Sequence, residues 1–271
     1  MDCLTNGTTI ESTTLTSRED EGARIMEATW LDSLFSVPAI GLQLQPQFEA
    51  CCRWAEPISK WTDGLNGTPG PAAMAHNAPL EWTVQFSQGF SVHIRPDNLV
   101  INFSLPVSVN RVRPLPELQI PEVVPYSALI ASMVTYLTPL VSSLAATAPL
   151  RVSRLGVMAT SDMPLGDLPP GGTALFDNLA RPFPSGLEQL EVRMTAPLRV
   201  SEDERIRCHH ILKCPETHRD TLAELRLDWQ HLFVVPLELR PRDVAHFFNE
   251  AVESAMGYFQ RFGEGDFGNG V

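Results

Sequence analysis

The chain has 271 residues, 44% of them hydrophobic and 19% charged, with a formal net charge of −12. That is enough to bury one large core or two small ones, in a composition ordinary for a soluble globular protein. Non-specific nucleic-acid binding draws on clustered Lys and Arg, which this sequence lacks: Lys60 and Lys213 are its only lysines and the arginines are scattered, so the balance suits a basic or neutral protein partner.

Residues 1 to 27 are rich in Ser, Thr and acids without a sustained period and read as an N-terminal arm. Asp2 and the lack of an apolar run point away from secretion. The odd cysteine count (Cys3, Cys51, Cys52, Cys208, Cys214) points to free thiols in a reducing compartment, so a cytoplasmic location is expected. Thr29 to Val37 suits a short helix and Ala39 to Gln45 a strand. Pro46 then opens a helix carrying Phe48, Cys51, Cys52 and Ala55, weakened at Pro57, with both cysteines expected to face a core. Asp63 to Pro79 reads as a loop.

The clearest pattern follows. Leu80, Trp82, Val84 and Phe86 alternate with polar residues, as do Phe90, Val92 and Ile94, and then Leu99, Ile101, Phe103 and Leu105. Gln88-Gly89 and Pro96-Asp97-Asn98 supply the turns, so the spacing predicts a three-stranded antiparallel meander with one dry face. The proline-rich stretch 106–125 reads as a rigid connector. From Val123 to Leu150 no residue is charged, long enough for a membrane span. Ser and Thr dilute it, Pro139 interrupts it, and Leu129, Ile130, Met133, Leu137, Val141 and Leu144 form one stripe, so a buried helix over 126–147 is predicted, with no membrane contact.

Arg151 to Thr160 reads as a strand, Asp162 to Gly172 as a surface loop and Thr173 to Ala180 as a short helix. Three strands follow: Leu187 to Thr195 with Leu190, Val192 and Met194 inward, Arg205 to Leu212 with Ile206, Cys208, His210 and Leu212 inward, and Leu222 to Phe233. In the last, Ala223, Leu225, Leu227 and Trp229 alternate with Glu224, Arg226, Asp228 and Gln230. Past Pro236 and Pro241 the period changes to that of a helix, with Val244, Phe247, Phe248, Ala251, Val252, Ala255, Phe259 and Phe262 on one stripe and Gly263 as its stop. Residues 264–271 read as a tail.

The resulting class is α+β: antiparallel meanders with long helices packed on one face. The segments 28–149 and 150–263 share an order of strand, helix, three antiparallel strands and long helix, that is, two β-α-β-β-β-α halves. A single irregular sheet without internal symmetry is the alternative. Glu81-Trp82, Arg154-Leu155-Gly156-Val157 and Leu225-Arg226-Leu227-Asp228, in this order of elements, are similar to an uncharacterised, sporadically distributed bacterial protein family of about this length. The resemblance covers residues 38 to 263 and implies a bacterial cytoplasmic protein, sometimes encoded near mobile or defence genes. Where that family continues the mid-chain strand with an Arg-Tyr-x-Asn-like run, this chain has Met158-Ala159-Thr160, and no catalytic residue carries over.

Cys208-His209-His210, with Cys214 and His218, has zinc-ligand chemistry. On a strand His209 and His210 point to opposite faces, and Cys208 and Cys214 lie about 20 Å apart at the strand rise, so no metal is assigned. Gly263 to Gly268 spells a dinucleotide G-x-G-x-x-G, but after a helix and with two acids, so no cofactor is assigned. Asp228, His231 and His246 are the titratable groups nearest the last strand and helix, and they are read as polar-face residues rather than a triad. Glu202-Asp203-Glu204 reads as a solvated turn. No catalytic residue is assigned. The expectation is a non-enzymatic interaction component that binds another protein through its loops. The alternative is an enzyme or small-ligand binder using a pocket between sheet and long helix.

Overall fold

The computed structural model describes residues 30–34, 36–46, 48–65, 71–106, 108–110, 117–119, 122–180, 189–214 and 221–266. The expected arm, the greater part of the tail and His218 lie outside them.

A 3-10 turn, Trp30–Ser33, leads into strand β1 (Ser36–Leu44). Two helices follow, α1 (Phe48–Cys51) and α2 (Ala55–Gly64). The break falls at 52–54 and not at Pro57, because a proline in the first turn costs no hydrogen bond. Cys51 is buried, but Cys52, expected to face a core, is exposed. The predicted meander forms as β3 (Glu81–Phe86), β4 (Phe90–Ile94) and β5 (Asn98–Phe103). Gly89, at φ 96°, makes the first turn, where a Cβ would overlap the carbonyl of Ser104.

Two stretches read as irregular contain strands. Within 63–79, β2 (Pro71–Ala78) adds to β3, and within 106–125, β6 (Ser108–Asn110) pairs with β7 (Glu117–Gln119). Neither shows a clean apolar alternation, so backbone pairing forms these strands without a sequence period to announce it. Helix α3 runs Tyr126–Thr147 as predicted. Among the described residues it is the one helix long and apolar enough to cross a membrane, yet half of its most apolar window is buried within the fold.

The second half opens with β8 (Leu150–Pro164), a 3-10 turn Leu165–Asp167, and α4 (Pro170–Ala180). Strands β9 (Leu190–Val200), β10 (Glu204–Cys214) and β11 (Leu222–Leu239) follow, then a 3-10 turn from Pro241 and helix α5 (Val244–Glu264). The helix stops at Gly265 (φ 81°) rather than at Gly263, which is buried inside the last turn. Met194, expected inward, is 40% exposed, because β9 is a sheet edge with less to pack against.

Nine strands make one antiparallel sheet in the order β2-β3-β4-β5-β1-β8-β11-β10-β9. Leaving out the added edge strand β2, the order on either side of the centre is the same: opening strand, closing strand, middle strand, outer strand. At the centre β1 pairs with β8, and Gly41 lies opposite Gly156. Apart from β2 and the β6–β7 pair, both additions to the first half, the connectivity is that of two β-α-β-β-β-α halves joined by the antiparallel β1–β8 pairing. The helices follow it, with α2 on α3, α3 on α5, and α5 on α4. All lie on one face of the sheet, above Ile40, Ile101, Leu155, Leu227 and Trp229, every one of them buried.

Candidate functional site

Each half has a cleft where its long helix lifts off the end of its closing and middle strands. The first, ≈ 610 Å³, is lined by Phe90, Phe103, Leu105, Leu129 and Tyr136. The second, ≈ 410 Å³, lies under α5 and is lined by Ile206, Trp229, Phe233, Phe247 and Tyr258, together with Glu204, His231 and Arg261.

Register makes the two clefts comparable position by position. Ile101 on β5 lies opposite Ile40, one residue before Gly41, and His231 on β11 lies opposite Leu155, one residue before Gly156. On the middle strands Phe90 faces Phe103, and Glu204 faces Phe233. His231 and Glu204 therefore stand where the first half has Ile101 and Phe90. The first cleft is floored by aromatic packing, with Phe90 5.3 Å from Phe103 and 5.5 Å from Tyr136 between ring centroids. In the second, His231 Nε2 meets Glu204 Oε2 at 3.0 Å, and the His231 ring packs 4.3 Å from Phe233. Glu204, read as part of a solvated turn, keeps a side chain 40% exposed but opens β10 on the covered face, while Glu202 and Asp203 stay in the exposed turn.

Deeper under α5, His210 Nε2 and the Tyr258 hydroxyl share a hydrogen bond of 2.7 Å, and the imidazole stacks on Phe262 at 5.2 Å. Its Nδ1 is buried with no hydrogen-bond partner among the described residues. Burial, and secondly the neighbouring His209, pull the His210 imidazole down to about 4, so it is neutral near pH 7. Burial likewise pushes the Tyr258 hydroxyl and the Cys208 thiol well up, leaving both protonated. A protonated, buried thiol is a poor nucleophile.

The structure separates the other residues that the sequence singled out. Asp228 lies on the face of the sheet away from the helices, accepting from Gln230 Nε2 at 2.7 Å. Gln230 in turn accepts from Arg207 at 3.2 Å. His246 is on the outer side of α5, 3.7 Å from Glu250. Asp228, His231 and His246 therefore do not meet. Cys208 and His210 share the covered face with Cys214, whereas His209 is on the other, bonded to Thr195 at 2.8 Å. Among the described residues no three His, Cys, Asp or Glu side chains form a metal-binding group.

At the mouth of the second cleft β11 exposes Leu237 (38%) from the lining and Val235 (69%) two residues before it, while Val234 (55%) and Val200 (68%), the latter opposite Arg205, are exposed on the other face. Val200 ends β9, and Val234 is tied to the β9–β10 turn by its amide, which donates to the Asp203 carbonyl at 2.8 Å. Between Leu232 and Leu237 the pairing of β11 with β8 slips, which swings this segment out of register. No alternation could reveal it, since Phe233, Val234, Val235 and Leu237 read as one apolar run. No family model matches this chain, and no curated protein matches it either.

Proposed function

We propose that this protein is a non-enzymatic interaction component of a bacterial cytoplasmic complex, and that it docks a partner protein at the cleft under α5. The observation that carries this reading is the exposed lip of Val235 and Leu237 beside the apolar lining of Leu198, Ile206, Phe233 and Phe247. Exposed apolar side chains gathered beside a concave surface mark binding sites more often than single ones do. The cleft supports binding better than turnover. Its hydroxyls are Ser254, with no hydrogen bond to His231 among the described residues, and Tyr258, engaged by His210.

The test is paired replacement of Val235 and Leu237 by Ser. A partner that co-purifies with the unaltered chain from its host should be lost, while the melting temperature stays within a few degrees, since both side chains are solvent-facing. Retention of the partner would overturn the reading.

A second reading, a small-ligand binder, is favoured by the His231–Glu204 pair at positions that are apolar in the first half. It predicts that His231→Gln abolishes function while partner binding and stability persist.

A further inference from the structure

Resting on the docking reading above, we propose that the occupant of the cleft under α5 is an amphipathic segment of another protein that carries Lys or Arg beside its apolar residues. The apolar part follows from the lining and the lip. The basic part follows from charge. Around the mouth stand the carboxylates of Glu204, Glu250 and Glu253 in the lining and of Glu202 and Asp203 in the adjoining turn, against the guanidiniums of Arg199 and Arg261 in the lining and of Arg205 beside the turn. Nearby Arg240 and Arg242 are matched by Glu238 and Asp243 at 3.4 and 3.5 Å. Arg261 is spread over the Tyr258 ring, 5.9 Å from its centroid. The local balance is negative on a chain whose net charge is −12, so a cationic segment is drawn in and an anionic one repelled.

The same sign argues against the two occupants nearest to hand. The chain's own residues 1–29 carry Asp2, Glu11, Glu19, Asp20, Glu21 and Glu27 against Arg18 and Arg24, and a second copy brings another −12. The cleft follows α5 from Phe247 to Arg261, about 21 Å at a helix rise of ~1.5 Å per residue. That length suits some four turns of a partner helix or an extended segment of about six residues.

The experiment uses the full chain and three fluorescein-labelled peptides on the order of 15 residues long. All share one amphipathic Leu pattern, with Lys, Gln or Glu at the polar positions. Fluorescence anisotropy should show the Leu/Lys peptide binding at least about tenfold more tightly than Leu/Gln, with Leu/Glu weakest, and the preference should shrink as salt is raised. Neutralising the mouth with Glu202→Gln, Asp203→Asn and Glu250→Gln together should erase the preference. Glu56→Lys, a remote exposed site on α2, should leave it intact. Val235→Ser with Leu237→Ser should weaken the Leu/Lys peptide by about tenfold, as loss of anchors does.

Equal binding of Leu/Gln and Leu/Lys, still weakened by the Val235 and Leu237 replacements, would overturn the basic-partner inference and leave the docking reading standing. Binding of every peptide untouched by those replacements would overturn both. A loss on Glu56→Lys as large as that on the mouth triple would show diffuse attraction to an acidic protein and overturn the inference.

Discussion

The indole of Trp30 lies directly on Gly263, and a Cβ at that glycine would overlap its ring. The indole Nε1 also donates to the Phe259 carbonyl at 2.7 Å, so the start of the described chain is pinned to the last turns of α5. Gly263→Ala is therefore expected to destabilise the fold by about 1–3 kcal/mol, the usual cost of overpacking. Trp30→Ala in the same chain should make the double mutant better than the sum of the singles, because the clash partner is gone. Thermal melts of the four proteins check both statements.

Leu165 and Leu168, in a stretch that reads in sequence as a surface loop fit for docking, are 8% and 7% exposed. The reason is that β8 runs on to Pro164 and α4 begins at Pro170, leaving the leucines beneath the junction. Replacing both with Ala should lower stability by several kcal/mol, at about 2–5 kcal/mol for a well-buried Leu. Denaturant melts would show this as a lower midpoint, and an unchanged midpoint would return the segment to the surface.

Phe248→Ala should be among the most damaging single changes. The ring is fully buried at the centre of the α5 stripe, edge-on to Phe247 at 5.8 Å. The expected cost is about 3–5 kcal/mol, a large part of a typical total stability of about 5–15 kcal/mol. A melting temperature lower by on the order of 10 °C is the readout.

His210 makes stability fall in acid. Its folded-state value is depressed to about 4 by burial and by His209, whereas the unfolded chain takes up that proton near 6.5. Between those limits the unfolded state binds more protons, so stability is full above about pH 6.5, declines as pH falls toward 4, and then levels. The loss is on the order of 3 kcal/mol at 1.36 kcal/mol per unit. Carboxylates and other histidines add their own slopes, so the check is the difference between the unaltered chain and His210→Gln. The variant should lack this part of the acid limb.

Much of the fold was legible because one dry sheet face enforces a period of two, and a helix lying on it a period near 3.6. The strands carrying Trp82, Val92, Ile101 and Trp229 and the helices carrying Leu137 and Phe248 were readable for that reason. Strand β2 and the β6–β7 pair were not, since their sequences carry no alternating apolar period. The site was less legible than the fold. Glu204 and His231 are far apart in sequence, and only the β10–β11 register, which no local motif encodes, brings them to 3.0 Å. The lip at Val235 and Leu237 was hidden because an apolar run looks the same whether it is buried or swung outward.

The pairing of Gly41 with Gly156 at the sheet centre has one more consequence. In a dimer of identical half-length chains, any substitution would appear twice, once in each cleft. Joining the halves in a single polypeptide removes that constraint and makes their encounter independent of concentration. One half is then free to keep an isoleucine and a phenylalanine where its twin has a histidine and a glutamate, so covalent linkage is what permits the two sides of this molecule to diverge in chemistry.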